Sequence, residues 1–416
     1  MLKYKELKLA LEEFLLEDFP HAEGDEIEAI VTHWLQTPSK KVPFLTASMH
    51  EYCVSRVQSL LAESEEERFL IKQPVPAYRF SLPIEWTNIP FPPVQHPSFT
   101  FIDLFAGIGG FRIAMQEQGG KCVFSSEWDP HAQKTYEANF GEVPYGDIRK
   151  INEKEIPDHD ILCAGFPCQP FSLAGVSARN ALHTAHGFAC ETQGTLFFDI
   201  VRIVKEKRPR VLFLENVKNL VGHDEGKTFS VIRNTIESIG YSFSYKVIDA
   251  SPLVPQKRVR CYMVCLRDGK GPFDFPVISG PPIPLRTILE KEVDDSYTIS
   301  AKLWQGHKRR TKNNLARGTG FTAFCADLDK PANTLVARYG KDGKECLIPQ
   351  KSKTPRMLTP RECARLQGFP ESFIIAPGKT TAYRQFGNSV AVPVIRLIAE
   401  EIATHLRQNK KERTKK

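Results

Sequence analysis

Apolar positions spaced three and four apart, with acidic residues between them, predict helices over 3–17, 25–36 and 47–66. The stretch Gln73–Pro97 then carries seven prolines and no helical period, so it reads as an extended connector. From Phe99 the pattern changes. FTFIDLF (99–105) is a buried-strand run, followed by a glycine-rich turn and a helix. KCVFSSEW (121–128) is a second strand, with a helix over about 130–139 behind it. HDILCAG (159–165) is a strand, TLFFDIVRIVKEK (195–207) a helix, and RVLFLENV (210–217) a strand. A helix at about 226–239 and strands near 241–249 and 259–266 complete the series. Strands alternating with helices predict an α/β fold, a parallel sheet with helices on both faces. Residues 268–355 break the alternation with scattered Pro, Gly and basic positions. A helix returns over about 391–407, before a basic tail.

Composition is that of a globular chain, with 41% hydrophobic and 25% charged residues in 416, which excludes collagen-like or fully disordered classes. The length suggests two or three domains. No apolar run reaches the roughly 20 residues that span a bilayer, and the amphipathic N-terminus does not read as a signal peptide. The expected location is the cytoplasm. Ten scattered cysteines without a secretory signal suit a reducing compartment better than a disulfide framework. The only close pair, Cys261 and Cys265, lacks the second pair that a zinc site needs, so no metal is expected. The net charge of +7 is uneven. Residues 1–95 hold 9 Lys and Arg against 15 Asp and Glu; residues 96–416 hold 47 against 34. The larger part can meet an anionic partner such as nucleic acid, or the charge can serve solubility.

Three places carry candidate chemistry. FIDLFAGIGGF sets Gly107, Gly109 and Gly110 directly after the first strand, but Arg112 stands where a dinucleotide fingerprint needs its third glycine. The next strand ends in Glu127, placed to accept from ribose hydroxyls. Trp128 beside it offers a flat face to an adenine, and Asp147 ends the following segment. A nucleoside without a pyrophosphate fits this set better than NAD, and S-adenosyl-L-methionine is the candidate. Next, strand 159–165 runs into GFPCQPFS. Cys168 is then either an inert loop thiol or a nucleophile at the carboxyl end of a strand. Glu215 closes the apolar run of the neighbouring strand, where burial can raise its pKa. Finally, PQKRVR (255–260) sets Gln256, Arg258 and Arg260 at alternate positions, which share one face if the segment is a strand.

Together these segments resemble the C5-cytosine DNA methyltransferase family. FIDLFAGIGGF, the Glu127–Trp128 pair, GFPCQPFS, LENV, PQKRVR, LTPRECARLQGFP (358–370) and QFGNSVAVPV (385–394) follow the family's order. The resemblance is nearest to monospecific enzymes of bacterial restriction-modification systems, with one variable region over about 268–354. It implies a Rossmann-like, S-adenosylmethionine-dependent methyltransferase sheet, a smaller target-recognition domain and an N-terminal helical extension. It further implies that Cys168 attacks C6 of a cytosine flipped out of duplex DNA, that Glu215 holds and protonates N3, and that Arg258 and Arg260 support the site. The cofactor would be lined by Phe105, Gly107, Ile108, Gly109, Glu127, Trp128, Asp147 and Ile148, and closed by Asn388, Ser389 and Val390. The implied domains are a helical extension (1–72), a Pro-rich linker (73–98) and a catalytic and cofactor-binding domain (99–267). A target-recognition domain (268–370) follows, then a C-terminal segment (371–416) that returns to the catalytic domain. The loop 169–194 is longer than in most family members, and the residue that fills the gap left by the flipped base is open.

For DNA contact the basic run KLWQGHKRRTKNNLAR (302–317), with Arg309 and Arg310, suits phosphates or simply a solvated helix. GTGF (318–321) and NTLVARYGKDGKECLI (333–348) resemble the recognition region of enzymes acting on CCGG, CCNGG or CCWGG sites. Thr334 and Leu335 match the family's Thr-Leu pair. Arg338 with Lys341 or Lys344 are the candidates for guanine contacts, and Gln256 is a further DNA candidate. The expected partner is double-stranded DNA, met by a monomer away from any membrane. A cognate restriction endonuclease would share the site without needing to bind. Two other readings are a tRNA cytosine-C5 methyltransferase and an enzyme whose N-terminal region regulates transcription.

Overall fold

The computed structural model describes residues 2–18, 24–38, 41–63, 84–167, 196–267, 271–318 and 323–413. Cys168, the loop 169–194, the first part of the Pro-rich linker, most of GTGF and the last three residues of the tail lie outside the described residues.

Strand β1 (Leu2–Lys3) leads into α1 (Tyr4–Asp18), α2 (Gly24–Gln36) and α3 (Ala47–Glu63). In α1, Leu7, Leu11 and Leu15 recur every four residues and are buried together. Strand β2 (Ile84–Glu85) pairs in parallel with β1. Then come β3 (Phe99–Leu104), α4 (Gly110–Glu117), β4 (Gly120–Ser126) and α5 (Pro130–Phe140). Helix α5 starts where Asp129 accepts from the His131 N–H and Pro130 occupies the first turn; it stops at Gly141, whose φ is 63°. Next are β5 (Ile161–Gly165), α6 (Leu196–Lys207), β6 (Val211–Val217), α7 (Lys227–Ser238), β7 (Tyr241–Asp249) and β8 (Val259–Arg267). Helices α8 (Ala301–Ala316), α9 (Pro360–Leu366), α10 (Lys379–Asn388) and α11 (Val392–Arg413) complete the described elements. No described helix is long and apolar enough to cross a membrane.

The six long strands form one sheet in the order β4-β3-β5-β6-β8-β7. Strands β4, β3, β5 and β6 are mutually parallel. Strand β8 runs against both β6 and β7, which corrects the expectation of a wholly parallel sheet. The reason is local. Residues 250–258 join β7 to β8 without a helix, and a connection that short must reverse the chain.

Alternate residues of each strand feed two cores. Phe101, Cys122, Phe213 and Val264 face α4, α9, α10 and α11. Ile102, Phe124, Leu162, Leu212 and Met263 face α6, α7 and the N-terminal helices. Leu11, Trp34 and Val57 belong to this second core, so α1–α3 share the sheet's interior rather than enclosing one of their own. Helix α11 returns across the chain to pack on α4, and Arg396 pairs with Glu117 there.

Candidate active site

Four strand ends and one returning segment meet at the carboxyl edge of the sheet. After β3 the chain turns sharply, with left-handed φ at Phe105 (55°), Gly107 (56°) and Gly109 (85°). At Gly109 a side chain is also excluded by space, since a Cβ would lie 2.2 Å from the Phe140 ring. At Gly107 a Cβ would meet nothing within 4 Å, so the turn is open on the side where a ligand can approach its backbone. Asp103, just before the turn, is buried with no hydrogen-bond partner for either oxygen among the described residues. Burial pushes its carboxyl well above the usual range.

Glu127 lies across from the turn. Its Oε2 accepts from the Gly107 N–H at 2.8 Å and its Oε1 from the Asp129 N–H at 2.9 Å. Burial raises its pKa, against the pull of those two donors. Trp128 is 77% exposed, its ring free to receive a flat ligand. Asp147 caps the short helix at Ile148–Lys150 and is chelated by Arg149, which holds its carboxyl below the usual range. Residues 384–390 come alongside. Arg384 pairs with Asp129 at 2.7 Å, and Gln385 donates to the His131 carbonyl at 2.9 Å. A Cβ on Gly110 would strike Val390 at 2.7 Å. The structure therefore brings Phe105, Gly107, Ile108, Gly109, Glu127 and Trp128 together with Ser389 and Val390, with Asp147 and Ile148 on the next segment and Asn388 exposed beside them.

Glu215 sits in register with Gly165 on parallel β5, the strand that runs on into Phe166 and Pro167. The Asn216 amide donates to the Phe166 carbonyl at 2.8 Å and fixes that strand end. Glu215 is buried, which raises its pKa; Arg260 and Arg258 oppose the shift. The Arg260 Nε lies 3.2 Å from its Oε1.

The expectation that Gln256, Arg258 and Arg260 share a strand face does not hold. Strand β8 begins only at Val259, so alternation does not reach back to residue 256. Gln256 is fully buried. It donates to the Leu366 carbonyl at 3.0 Å and accepts from the Leu335 N–H at 2.7 Å. Arg258 is buried as well and donates to the carbonyls of Leu335, Gly387 and Ser389, with burial drawing its pKa down to about 9. Leu335 is buried, and Thr334 donates to the Lys257 carbonyl. These four residues knit the 332–337 segment and the C-terminal return onto the sheet, with the buried Arg258 Nε left without a partner among the described residues. Other DNA candidates face outward. Arg309, Arg338 and Lys341 are exposed, and Arg310 is largely so. Arg338 lies 3.4 Å from Glu345, and the half-buried Lys344 4.0 Å from Asp342.

The C-5 cytosine-specific DNA methylase family profile matches residues 99–404. The chain belongs to that family. Its curated relatives include the type II methyltransferase M.SsoII of Shigella sonnei, 51% identical over 76% of this chain and 83% of the relative. M.HhaI of Haemophilus parahaemolyticus is 43% identical over 75% of this chain and 96% of the relative. The DNA-cytosine methyltransferase of Escherichia coli K12 is 42% identical over 77% and 81%. A Schizosaccharomyces pombe Dnmt2 structure aligns at TM-score 0.58 and 20% identity, covering 74% of this chain and 99% of that one; it shows the same Rossmann-like fold. This methyltransferase thus acts at C5 of cytosine in DNA, and its family depends on S-adenosylmethionine in general.

The sequence reading did not single out Arg112, Glu142 or His33, which form one buried cluster behind the turn. Arg112 registered only as a missing glycine. An arginine in the apolar face of a helix, FRIAM, was the available signal, because a fully buried arginine requires a partner.

Proposed function

We propose that the open turn with Glu127, Trp128 and Asp147 holds S-adenosyl-L-methionine, and that Cys168 and Glu215 process a cytosine flipped out of duplex DNA. The fit rests on the donor set. Glu127 and Asp147 supply carboxylates suited to ribose hydroxyls and an adenine amine, and Trp128 supplies an exposed ring. Gly107 leaves backbone room for the ligand. When bound, S-adenosylmethionine supplies the methyl group as an electrophile. The protein's own work is on the base. The Cys168 thiolate adds to C6 while Glu215 gives its proton to N3, so the electron pair builds at C5 rather than on the ring nitrogens. After methylation, loss of the C5 proton expels the thiolate, and N3 returns its proton to Glu215. Arg260 holds Glu215 in place. The exposed basic residues Arg309, Arg310, Arg338 and Lys341 suit phosphate and guanine contacts. The relatives named as type II methyltransferases support a protective role beside a restriction endonuclease.

The observation that carries this reading is the buried Glu215, paired with Arg260 and adjacent in register to the strand that leads to Cys168. Bisulfite sequencing of plasmid DNA from cells expressing the chain tests it. The expected result is 5-methylcytosine at one position of a short GC-rich site such as CCGG, CCNGG or CCWGG. Uniformly unmethylated DNA from cells containing folded, S-adenosylmethionine-binding protein would turn the assignment to an RNA substrate.

Burial favours the protonated form of Glu215, so the acid persists nearer neutral pH. Turnover should therefore fall as pH rises through that raised pKa. Glu215→Gln should lower kcat by about 10²–10⁴-fold and remove this limb of the profile. A wild-type limb that persists in Glu215→Gln assigns the ionisation elsewhere.

A further inference from the structure

The N-terminal extension lies outside the family match, yet it reaches the back wall of the cofactor site. Strand β4 is an edge of the sheet, and edge strands leave backbone groups in need of partners. Beyond its regular ladder, β4 is bridged at Ser126 to Tyr145. The Tyr145 N–H donates to the Ser125 carbonyl at 2.9 Å, and the Glu127 N–H to the Tyr145 carbonyl at 2.8 Å. The Ser125 N–H goes instead to His33 Nε2, from α2, at 3.2 Å. The Nδ1 of the same ring lies 2.9 Å from the Ala29 carbonyl, so Nδ1 carries the proton and Nε2 accepts. The ring packs against Tyr145 with centroids 4.6 Å apart and against Phe124 at 6.0 Å. Glu142 accepts from the Ser125 hydroxyl and from Arg112, each at 2.7 Å, and Arg112 also donates to Gln36 of α2 at 2.7 Å.

The same helices hold the segment that leads to Asp147. The Tyr4 hydroxyl donates to the Gly141 carbonyl at 2.6 Å, and the Gln36 amide to Phe140 and Gly141 at 3.0 and 2.9 Å. The Val143 N–H donates to the Thr32 hydroxyl at 3.0 Å, and the Tyr145 hydroxyl to Pro43 at 3.0 Å. The bridge between Ser126 and Tyr145 thus lies one residue before Glu127 on one segment and two before Asp147 on the other, and its two hydrogen bonds fall on Ser125 and on Glu127 itself.

We infer that His33 is a positioning residue for cofactor binding: by accepting from Ser125 it fixes the spacing of the two segments that carry Glu127 and Asp147. The inference rests on the reading of those carboxylates as the cofactor's anchors. It makes residues 2–63 a working part of the methyltransferase.

The test is titration of the full chain with S-adenosylmethionine by calorimetry, together with steady-state kinetics. His33→Leu keeps bulk but leaves the buried Ser125 N–H without an acceptor; His33→Gln retains an acceptor at similar reach. The expected result for His33→Leu is a dissociation constant and KM raised about tenfold, with kcat at saturating cofactor and DNA affinity unchanged. His33→Gln should restore binding. An irreversibly inactive fraction lowers the stoichiometry and not the affinity, whereas a folding equilibrium raises the apparent dissociation constant; Val57→Ala, a core truncation in α3, controls for that general loosening. Unchanged affinity in His33→Leu, or an equal loss in Val57→Ala, overturns the inference. Glu127→Ala, run alongside, separates the two levels. If it weakens binding and His33→Leu does not, only the role of His33 falls. If Glu127→Ala binds normally, the anchor reading fails, and the inference built on it fails too.

Discussion

Cys168→Ala abolishes methyl transfer while S-adenosylmethionine still binds with near-normal affinity. The two halves of this expectation follow from where the groups sit. The anchors proposed for the cofactor stand on the turn after β3 and on the segments after β4, whereas Cys168 follows the end of β5. Alanine removes the only group proposed to add to C6, and without that bond C5 is too weak a nucleophile to take the methyl group. A radiolabelled methyl-transfer assay should read background, and calorimetry a dissociation constant within about twofold of wild type. The reverse pattern, lost affinity with retained turnover, would exchange the roles of the two sites. A cytosine fluorinated at C5 gives an independent readout. Fluorine cannot leave as the proton does, so wild type should be trapped on such DNA in a denaturant-resistant complex that Cys168→Ala does not form.

Arg112→Leu destabilises the protein by roughly 3–5 kcal/mol, the usual cost of stranding one partner of a buried ion pair. Its guanidinium is fully buried and donates to Glu142, Gln36, Gln116 and Tyr136. The remaining Glu142 would be left buried without its cation, either charged and unpaired or forced to take up a proton, with the Ser125 hydroxyl and His33 as its neighbours. Adding Glu142→Leu should recover part of the loss, because an apolar pair carries no uncompensated charge. Urea unfolding followed by circular dichroism measures both. A single-variant cost below about 1 kcal/mol would mean that water reaches the pair, as it does for surface ion pairs.

Why one part of this molecule can be read from its chain and another cannot is visible in these residues. The period of apolar positions in FTFIDLF, RVLFLENV and LFFDIVRIVKEK is a local signal, and the strands and helix formed as expected. The glycine turn and Glu127 were legible for the same reason, since a strand end followed by glycines has few conformations open to it. The direction of β8 was legible too, in the absence of a helix between Asp249 and Val259, but the weight of the preceding alternation hid it. Gln256 and Arg258 precede the strand, so the alternation that would set them on one face with Arg260 does not reach them. The cluster of His33, Arg112 and Glu142 joins residues far apart in the chain. No spacing rule connects them, and only the packing of α2 on β4 makes them neighbours.

The return of α11 onto α4 has a consequence in time. Translation delivers α4 early and the helix that covers it late, so a nascent chain presents Ile113 and Met115 to water until residues of α11 such as Ile395 and Ile398 emerge. Residues 384–390, which flank the glycine turn, also follow long after it. A chain synthesised only as far as residue 383 therefore has the glycine turn but lacks the segment that flanks it.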